Sequence, residues 1–220
     1  MIAHTSATAW LLLGVYSAVA AAAFSTAAPP GVRIAVVGAG AVGSYYGGRL
    51  HDSYDGPAGG SGTEVVFHLR GEHYGHCTAH GIDVESYDGD FRIPADRLRA
   101  FETTEEMAGG AAFDWVVCCL KSTSLDEVPE LIEPLMSDDT RLLVIMNGLI
   151  EEDLIAKMRE RQSSKGLGGV NAKAIYGGMA LICSNRLSPG QISHTYGGKL
   201  GKCPRLCVSL LHTALTPLLH

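Results

Sequence analysis

The sequence predicts an α/β fold in which helices cover both faces of a doubly wound, mostly parallel sheet. Four short apolar runs support this prediction, at residues 32–37, 64–69, 115–120 and 142–146. Each run is suited to a strand buried on both faces, and each ends at a glycine or a polar side chain. Helical segments follow several of the runs, the first of them at 41–51. Such an alternation of strands and helices is typical of a parallel sheet.

The composition of the chain limits the classes of protein to which it can belong. With 220 residues, of which 46% are hydrophobic, the chain can bury the core of one large domain. Its formal net charge is −6 and it contains no run of Lys and Arg, whereas nucleic-acid binders normally carry a basic stripe. We therefore expect no nucleic-acid partner.

The six cysteines give little support to a metal or redox site. No C-x-x-C pair occurs, and that spacing is typical of zinc and thioredoxin-type sites. Cys118 and Cys119 lie inside an apolar run and are interpreted as small core residues. Cys203 and Cys207 are close in sequence, but no second pair with metal-ligand spacing accompanies them. We predict no metal site.

Residues 1–30 are interpreted as a leader and are left out of the predicted fold. The run AWLLLGVYSAVAAAAF is short and rich in alanine, which is typical of a signal-peptide core and not of a stable membrane span. The segments AAAF and STAAPP also resemble the cleavage region of bipartite plastid presequences. We therefore expect organelle (plastid) or secretory targeting. The alternative is a leader that carries no targeting signal, in a cytoplasmic protein.

The first apolar run leads into a glycine motif. Gly38, Gly40 and Gly43 have the G-x-G-x-x-G spacing between a strand and a helical segment. In dinucleotide-binding loops the first glycine permits a tight turn, the second lets the pyrophosphate approach, and the third lets helix and strand pack closely. The pyrophosphate lies on the first amides of the helix, here those of Ala41 and Val42. The motif predicts a Rossmann-like domain, with a glycine-rich turn in an unrelated α/β domain as the alternative.

The second apolar run ends in Arg70, which Gly71 follows. In a dinucleotide-binding fold the second strand ends beside the adenosine ribose. There an acid bonds the 2′-hydroxyl of NAD, whereas an arginine accommodates the 2′-phosphate of NADP. Glu72 lies beyond Gly71, so no acid occupies the NAD-type position in the sequence. Arg70 therefore predicts NADP(H) as the cofactor, and a solvated loop arginine is the alternative.

The third and fourth apolar runs also end in polar side chains. Lys121 follows one run, and Asn147 follows the other. Ligands of open parallel sheets bind outside the carboxyl ends of the strands. We therefore expect Lys121 and Asn147 in one crevice with the glycine motif and Arg70. For Asn147, a plain turn residue before Gly148 is the alternative.

The remaining segments predict one further helix and two antiparallel additions to the sheet. A helix is expected to begin near Ser124, whose hydroxyl can cap its first turn. Residues 82–87 and 91–93 flank DGD, which favours a hairpin turn. Residues 174–183 and 191–196 flank the turn LSPG and are expected to form a final antiparallel pair.

Together these motifs resemble the ketopantoate reductase (2-dehydropantoate 2-reductase) family. The resemblance runs from about Arg33 to Gly201. The segments that support it are VGAGAVGSYYGGRL, LRGEH, DWVVCCLKS, MNGL and GGMALICSNRLSPGQISHT. Many dehydrogenases share the first segment, whereas LKS, NGL and SPGQISHT in that order are more specific.

The resemblance implies an NADPH-dependent reduction of ketopantoate, a small 2-keto acid, to pantoate in the synthesis of pantothenate and coenzyme A. By position it implies that residues 31–201 form an NADP-binding domain. Arg70 would hold the 2′-phosphate, while Lys121 and Asn147 match family positions close to the nicotinamide ribose and the substrate. An ammonium group and an amide can both bond ribose hydroxyls or a carboxylate.

The sequence departs from the family after Gly201. In the family an all-helical second domain follows and supplies the lysine taken as the general acid, together with an acid. Residues 202–220 match nothing expected of that domain and are too few to form its core. The catalytic residues are therefore expected beyond this chain, which would be a truncated form that binds NADP(H) without useful turnover. The resemblance leaves open a homodimer that forms through this second domain.

Two other functions are compatible with the same motifs. One is a catalytically inactive module that only holds NADPH. The other is a reductase that acts on a different 2-keto acid, because the wall of the pocket that selects the substrate lies outside the recognised motifs.

Overall fold

The computed structural model describes residues 31–55, 62–148, 150–164 and 174–202. The interpreted leader at 1–30 and the segment 203–220, with Cys203 and Cys207, lie outside the described residues. The strands in the described part are β1 (Arg33–Val37), β2 (Glu64–His68), β3 (Ile82–Ser86), β4 (Phe91–Ile93), β5 (Arg99–Phe101), β6 (Trp115–Cys118), β7 (Arg141–Val144), β8 (Ile175–Ser188) and β9 (Gln191–Lys202). The α-helices are α1 (Ala41–Asp55), α2 (Gly71–His80), α3 (Thr104–Ala108), α4 (Val128–Ile132) and α5 (Glu151–Ser164).

The strands form one mixed sheet whose order is β4-β3-β9-β8-β7-β6-β1-β2-β5. From β5 to β8, all neighbouring strands are parallel. The β8–β9 and β3–β4 pairs are antiparallel. The predicted α/β class, with a mostly parallel sheet and late antiparallel strands, is therefore confirmed. Because β2 and β6 lie on opposite sides of β1, the sheet has its topological switch point there, which is where ligands of such sheets bind.

The core lies on both faces of the sheet. Successive residues of a strand point to opposite faces, so Ile34 and Val36 pack in one cluster and Ala35 and Val37 in the other. All four side chains are fully buried, which explains why only apolar residues follow Arg33 in β1. Burial of a valine or isoleucine side chain is worth about 1.5–3 kcal/mol, so this strand fixes the position of the glycine motif that follows it.

The segment after β6 differs from its prediction. A helix that begins near Ser124 was expected, but residues Ser122–Ser124 form a 3₁₀ turn and α4 begins only at Val128. Its N-cap is Glu127, without a side-chain capping hydrogen bond, and Pro129 lies in its first turn. Proline is tolerated in a first turn, but in a helix interior it clashes with the preceding turn. A helix begun at Ser124 would have placed Pro129 in its interior.

Other parts of the described chain were predicted too short or not at all. Strands β8 and β9 extend further than the predicted ranges 174–183 and 191–196, and irregularities interrupt their register. The short elements β5 and α3 were not predicted, and neither was α2, which begins directly after Arg70. Among the described helices, none combines the length and apolar character that would be needed to cross a membrane.

Candidate functional site

An open cleft of about 560 Å³ lies where β1, β2 and β6 end. Four parts of the chain line it: the glycine loop, the end of β2 with the start of α2, the end of β6, and the middle of β8. The lining residues are Gly38, Ala39, Gly40, Ala41, Val42, His68, Leu69, Arg70, His73, Cys119, Leu120, Lys121, Ser124, Ser184, Asn185 and Arg186. The cleft therefore occupies the switch point of the sheet.

The three glycines of the motif have three different surroundings. Gly38 has φ +85°, and a Cβ there would lie 2.7 Å from Leu120 Cδ2. A Cβ on Gly43 would lie 2.5 Å from the carbonyl oxygen of Gly38. A Cβ on Gly40 would meet no atom of the described residues within 4 Å. The tight turn and the close packing expected of the first and third glycines are thus present, and the second leaves open space in the cleft.

The backbone of the glycine loop is held by hydrogen bonds from several sides. Gly40 N–H donates to Gly38 O at 2.8 Å, and Ala39 N–H donates to His68 O at 3.2 Å. Ser44 Oγ donates to Ala39 O at 3.0 Å. Helix geometry leaves the first amides of α1, including that of Ala41, without partners inside the helix. Together with the helix dipole, these amides make the mouth of the cleft favourable for an anion.

His73 is a residue of this site that the sequence analysis missed. Its Nδ1 accepts the amide hydrogen of Gly190 at 3.1 Å, so its Nε2 carries the proton and donates to Ala39 O at 3.1 Å. The side chain is only 5% exposed. Burial, assisted by the nearby charges of Arg186 and His76, lowers the pKa of His73 below its usual 6.5. The neutral ring therefore ties the glycine loop to the β8–β9 turn.

Arg70 stands where the sequence placed it, between β2 and α2 on the rim of the cleft. Its side chain is 56% exposed, and its Nη1 lies 3.9 Å from Glu127 Oε2. An exposed pair of this kind contributes about 0–1 kcal/mol, so a phosphate can replace the carboxylate at little cost. A second carboxylate, that of Glu102, accepts the Gly71 amide at 2.9 Å and does not line the cleft.

Lys121 follows β6 and Asn147 follows β7, and these two strands are neighbours in the sheet. Cys118 pairs with Val144 in the parallel β6–β7 ladder, and Lys121 and Asn147 each lie three residues beyond this pair. Lys121 lines the cleft with the glycine loop. Asn147 lines a second pocket of about 420 Å³, together with Glu151 and part of β8. The expectation of one shared crevice is therefore met for Lys121 and not for Asn147.

The cleft is basic. Among the described residues that line it, three are cationic, Arg70, Lys121 and Arg186, and none is Asp or Glu. The net charge of the whole chain is −6, so this concentration of positive charge is local. A cleft lined by one sign of charge attracts ligands of the opposite sign. With the open space above Gly40, the lining fits a dinucleotide that carries phosphates.

Cysteine chemistry has no place in this site. Burial raises the pKa of the Cys118 thiol to about 11, and it also raises the pKa of Cys119 well above its usual value. Both thiols therefore stay protonated at neutral pH, and Cys118 is fully buried. Within the described residues, no group of three or more His, Cys, Asp or Glu side chains is placed to hold a metal ion.

Comparison with known proteins identifies relatives over most of the chain. A family model described as ketopantoate reductase PanE/ApbA matches residues 34–201. A 2-dehydropantoate 2-reductase of Nostoc sp. is 32% identical over 168 residues, which cover 76% of this chain and 45% of the relative. A 2-dehydropantoate 2-reductase of Lactococcus lactis is 27% identical over 167 residues, which cover 71% of this chain and 49% of the relative.

Solved structures agree with these matches. The 2-dehydropantoate 2-reductase of Geobacter metallireducens superimposes with a TM-score of 0.61 at 35% identity, over 78% of this chain and 49% of that chain. A D-mandelate dehydrogenase with NADH and anilino(oxo)acetate gives a TM-score of 0.59 at 26% identity, over 76% of this chain and 46% of that chain. The chain spans about half the length of the curated relatives it matches. On the extent of the family match and the order of its motifs, the chain belongs to the ketopantoate reductase PanE/ApbA family.

Proposed function

We propose that this protein takes part in an NADPH-dependent reduction of 2-dehydropantoate to pantoate, in the synthesis of pantothenate and coenzyme A. The observation that supports the proposal most is the basic cleft at the switch point, with Arg70 on its rim and the glycine loop at its base. The names of the relatives supply the reaction class.

The residues of the cleft fit NADP(H) better than NAD(H). The amides at the start of α1 and the space above Gly40 suit the diphosphate, which both cofactors share. Arg70 supplies an exposed guanidinium beside the end of β2, and a guanidinium binds phosphate in two parallel hydrogen bonds. Of the described lining residues, none is an acid that could hold the 2′-hydroxyl of NAD instead.

Lys121 and Asn147 are proposed to act at the nicotinamide end of the cleft. When bound, the dihydronicotinamide supplies a hydride for the keto carbon. Lys121 follows β6, next to the glycine loop, and its ammonium group is suited to bond ribose hydroxyls or the substrate carboxylate. Asn147 follows β7 in the adjoining strand position, and its amide can do the same from the second pocket. No described residue is assigned as the proton donor.

A reductase of another 2-keto acid is the second candidate. The D-mandelate dehydrogenase structure, at 26% identity, was determined with NADH and anilino(oxo)acetate. A similar fold therefore occurs in a dehydrogenase that is named for a different acid and whose structure holds NADH. Arg70 favours the first candidate, because an arginine at the end of β2 accommodates the 2′-phosphate that NADH lacks.

Turnover by the intact gene product tests the proposal. Oxidation of NADPH is followed by its absorbance with 2-dehydropantoate, and then with pyruvate and phenylglyoxylate at the same concentration. We expect the highest kcat/KM with 2-dehydropantoate and NADPH. A preference for phenylglyoxylate with NADH would favour the second candidate. Binding of NADPH without turnover of any of the three acids would favour an inactive binding module.

Residues 1–30 are proposed to be a targeting presequence, on the composition of the run AWLLLGVYSAVAAAAF. A fluorescent protein fused behind these residues tests this in a cell that contains plastids. Accumulation in the plastid or along the secretory route is the expected result. Diffuse cytoplasmic fluorescence, equal to that of the fluorescent protein alone, would contradict the proposal.

A further inference from the structure

Arg186 is a charged residue of the cleft to which the sequence motifs assigned no role. It lies in β8 and lines the cleft, and its side chain is exposed. Like Arg70, five further arginines of the described chain form ion pairs with carboxylates. These are Arg33, Arg49, Arg92, Arg99 and Arg161. Within the described residues, by contrast, Arg186 has no carboxylate partner, and no acid lines the cleft beside it.

Contacts of neighbouring residues place Arg186 beside the glycine loop. Ser184 Oγ donates to the carbonyl oxygen of Ala41 at 3.3 Å, which brings β8 against the start of α1. Ser184 and Arg186 are two residues apart in a stretch of regular pairing, opposite His194 and Ile192, so they point to the same face of the strand. Arg186 therefore shares the face of β8 that contacts the loop.

A second contact approaches the same position from α2. His73 donates to the carbonyl oxygen of Ala39 at 3.1 Å and is close enough to Arg186 for that charge to lower its pKa. The guanidinium of Arg186 is thus near residues that contact the loop both before and after Gly40. The space above Gly40 is open, and it is the part of the loop that a diphosphate approaches.

We propose that Arg186 binds the diphosphate of the dinucleotide from the side of the glycine loop that faces β8. This inference rests on the proposed function, since it requires a dinucleotide in the cleft. It assigns different parts of the cofactor to the two arginines. Arg70 contacts the 2′-phosphate, which only NADP(H) has, whereas Arg186 contacts the diphosphate, which NADP(H) and NAD(H) share.

Calorimetric titration with NADPH and NADH separates the two roles. Arg186→Gln is expected to weaken both cofactors by the same factor, roughly tenfold to a hundredfold for one charge-assisted contact. Arg70→Gln is expected to weaken NADPH alone. Arg186→Lys keeps the charge but loses the paired hydrogen bonds of a guanidinium, so its affinities should lie between those of wild type and Arg186→Gln. Arg92→Gln, which removes a charge outside the cleft, should bind both cofactors as wild type does.

The outcomes distinguish this inference from the proposed function. If wild type binds neither dinucleotide, the proposed function fails and the inference fails with it. If wild type binds NADPH and Arg186→Gln binds it equally tightly, the inference alone is overturned. A loss of NADPH affinity without loss of NADH affinity would assign Arg186 to the 2′-phosphate and would also contradict the inference. A melting temperature equal to that of wild type is expected, because the side chain is exposed and makes no ion pair with a described residue.

Discussion

Alanine substitutions at Gly40 and Gly43 should have different consequences, although both glycines belong to one motif. Gly43 lies in the first turn of α1 and packs against the turn at Gly38, whereas Gly40 faces the open cleft. A methyl group at Gly43 meets the protein itself. A methyl group at Gly40 would contact no described protein atom, so it could contact only a ligand bound in the cleft. We therefore predict that Gly43→Ala lowers stability and that Gly40→Ala lowers cofactor affinity.

The expected magnitude at Gly43 follows from the distances. Its new Cβ would lie 2.5 Å from Gly38 O and 3.2 Å from Cys119 Cβ, so the backbone of the loop must shift. Overpacking of this kind costs about 1–3 kcal/mol, and the helix propensity of alanine returns less than about 1 kcal/mol of it. The net loss should be about 1–2 kcal/mol. For a domain of this size that corresponds to a decrease in Tm of roughly 2–8 °C.

For Gly40→Ala we expect a change in cofactor affinity and almost none in stability. The backbone there is not left-handed and the space is open, so the free energy of unfolding should stay within about 0.5 kcal/mol of wild type. The methyl group would separate the diphosphate from the loop amides. Loss of one charge-assisted hydrogen bond costs about 1.5–3 kcal/mol, which raises the Kd for NADPH roughly tenfold to a hundredfold.

Thermal unfolding and NADPH titration of the two variants give the comparison. Gly75→Ala is the matched control, because Gly75 lies in α2 and a Cβ there meets no described atom within 4 Å. This control should bind NADPH normally and unfold at a temperature no lower than that of wild type. Normal NADPH affinity in Gly40→Ala would refute the placement of the diphosphate. An unchanged Tm in Gly43→Ala would refute the argument from close packing.

The remaining predictions concern charged side chains. Arg70→Ala should bring the Kd for NADPH to that for NADH, with NADH unaffected, and titration of both cofactors checks this; a variant that still prefers NADPH would assign the preference elsewhere. Burial lowers the pKa of both His68 and His73 in the folded protein. Below about pH 6.5 the unfolded chain therefore binds more protons than the folded protein does. The free energy of unfolding should for this reason decrease as the pH falls through that range. His73→Gln, which removes one of these groups, should flatten the decrease between about pH 7 and about pH 5 in urea unfolding; a pH dependence as steep as that of wild type would contradict the role given to burial.

The glycine motif and Arg70 could be predicted because the residues that identify each of them are close together in the sequence. The apolar run before Gly38 and the spacing of the three glycines lie within a short stretch of sequence. Arg70 follows directly from the end of the next strand. In each case the apolar composition indicates a strand that is buried on both faces, and the candidate residue is the first one beyond the apolar run.

The rest of the site depends on contacts between distant residues. The partners of His73 lie 34 and 117 residues away, and no local pattern marks a histidine for such a position. Arg186 reaches the cleft because β8 pairs with β7 and contacts α1, which sequence spacing does not reveal. The error at Ser124 was different, because Pro129 was visible in the sequence and already argued against a helix that begins there.

Calorimetric titration of the 220-residue chain with NADPH and, separately, with NADH tests whether the basic cleft above the glycine loop is an NADP(H) site and whether Arg70 distinguishes the two cofactors. We expect one site per chain and a Kd for NADPH that is lower than that for NADH by roughly tenfold or more, as expected for one phosphate contact. Absence of NADPH binding, or equal affinity for NADPH and NADH, would contradict this expectation.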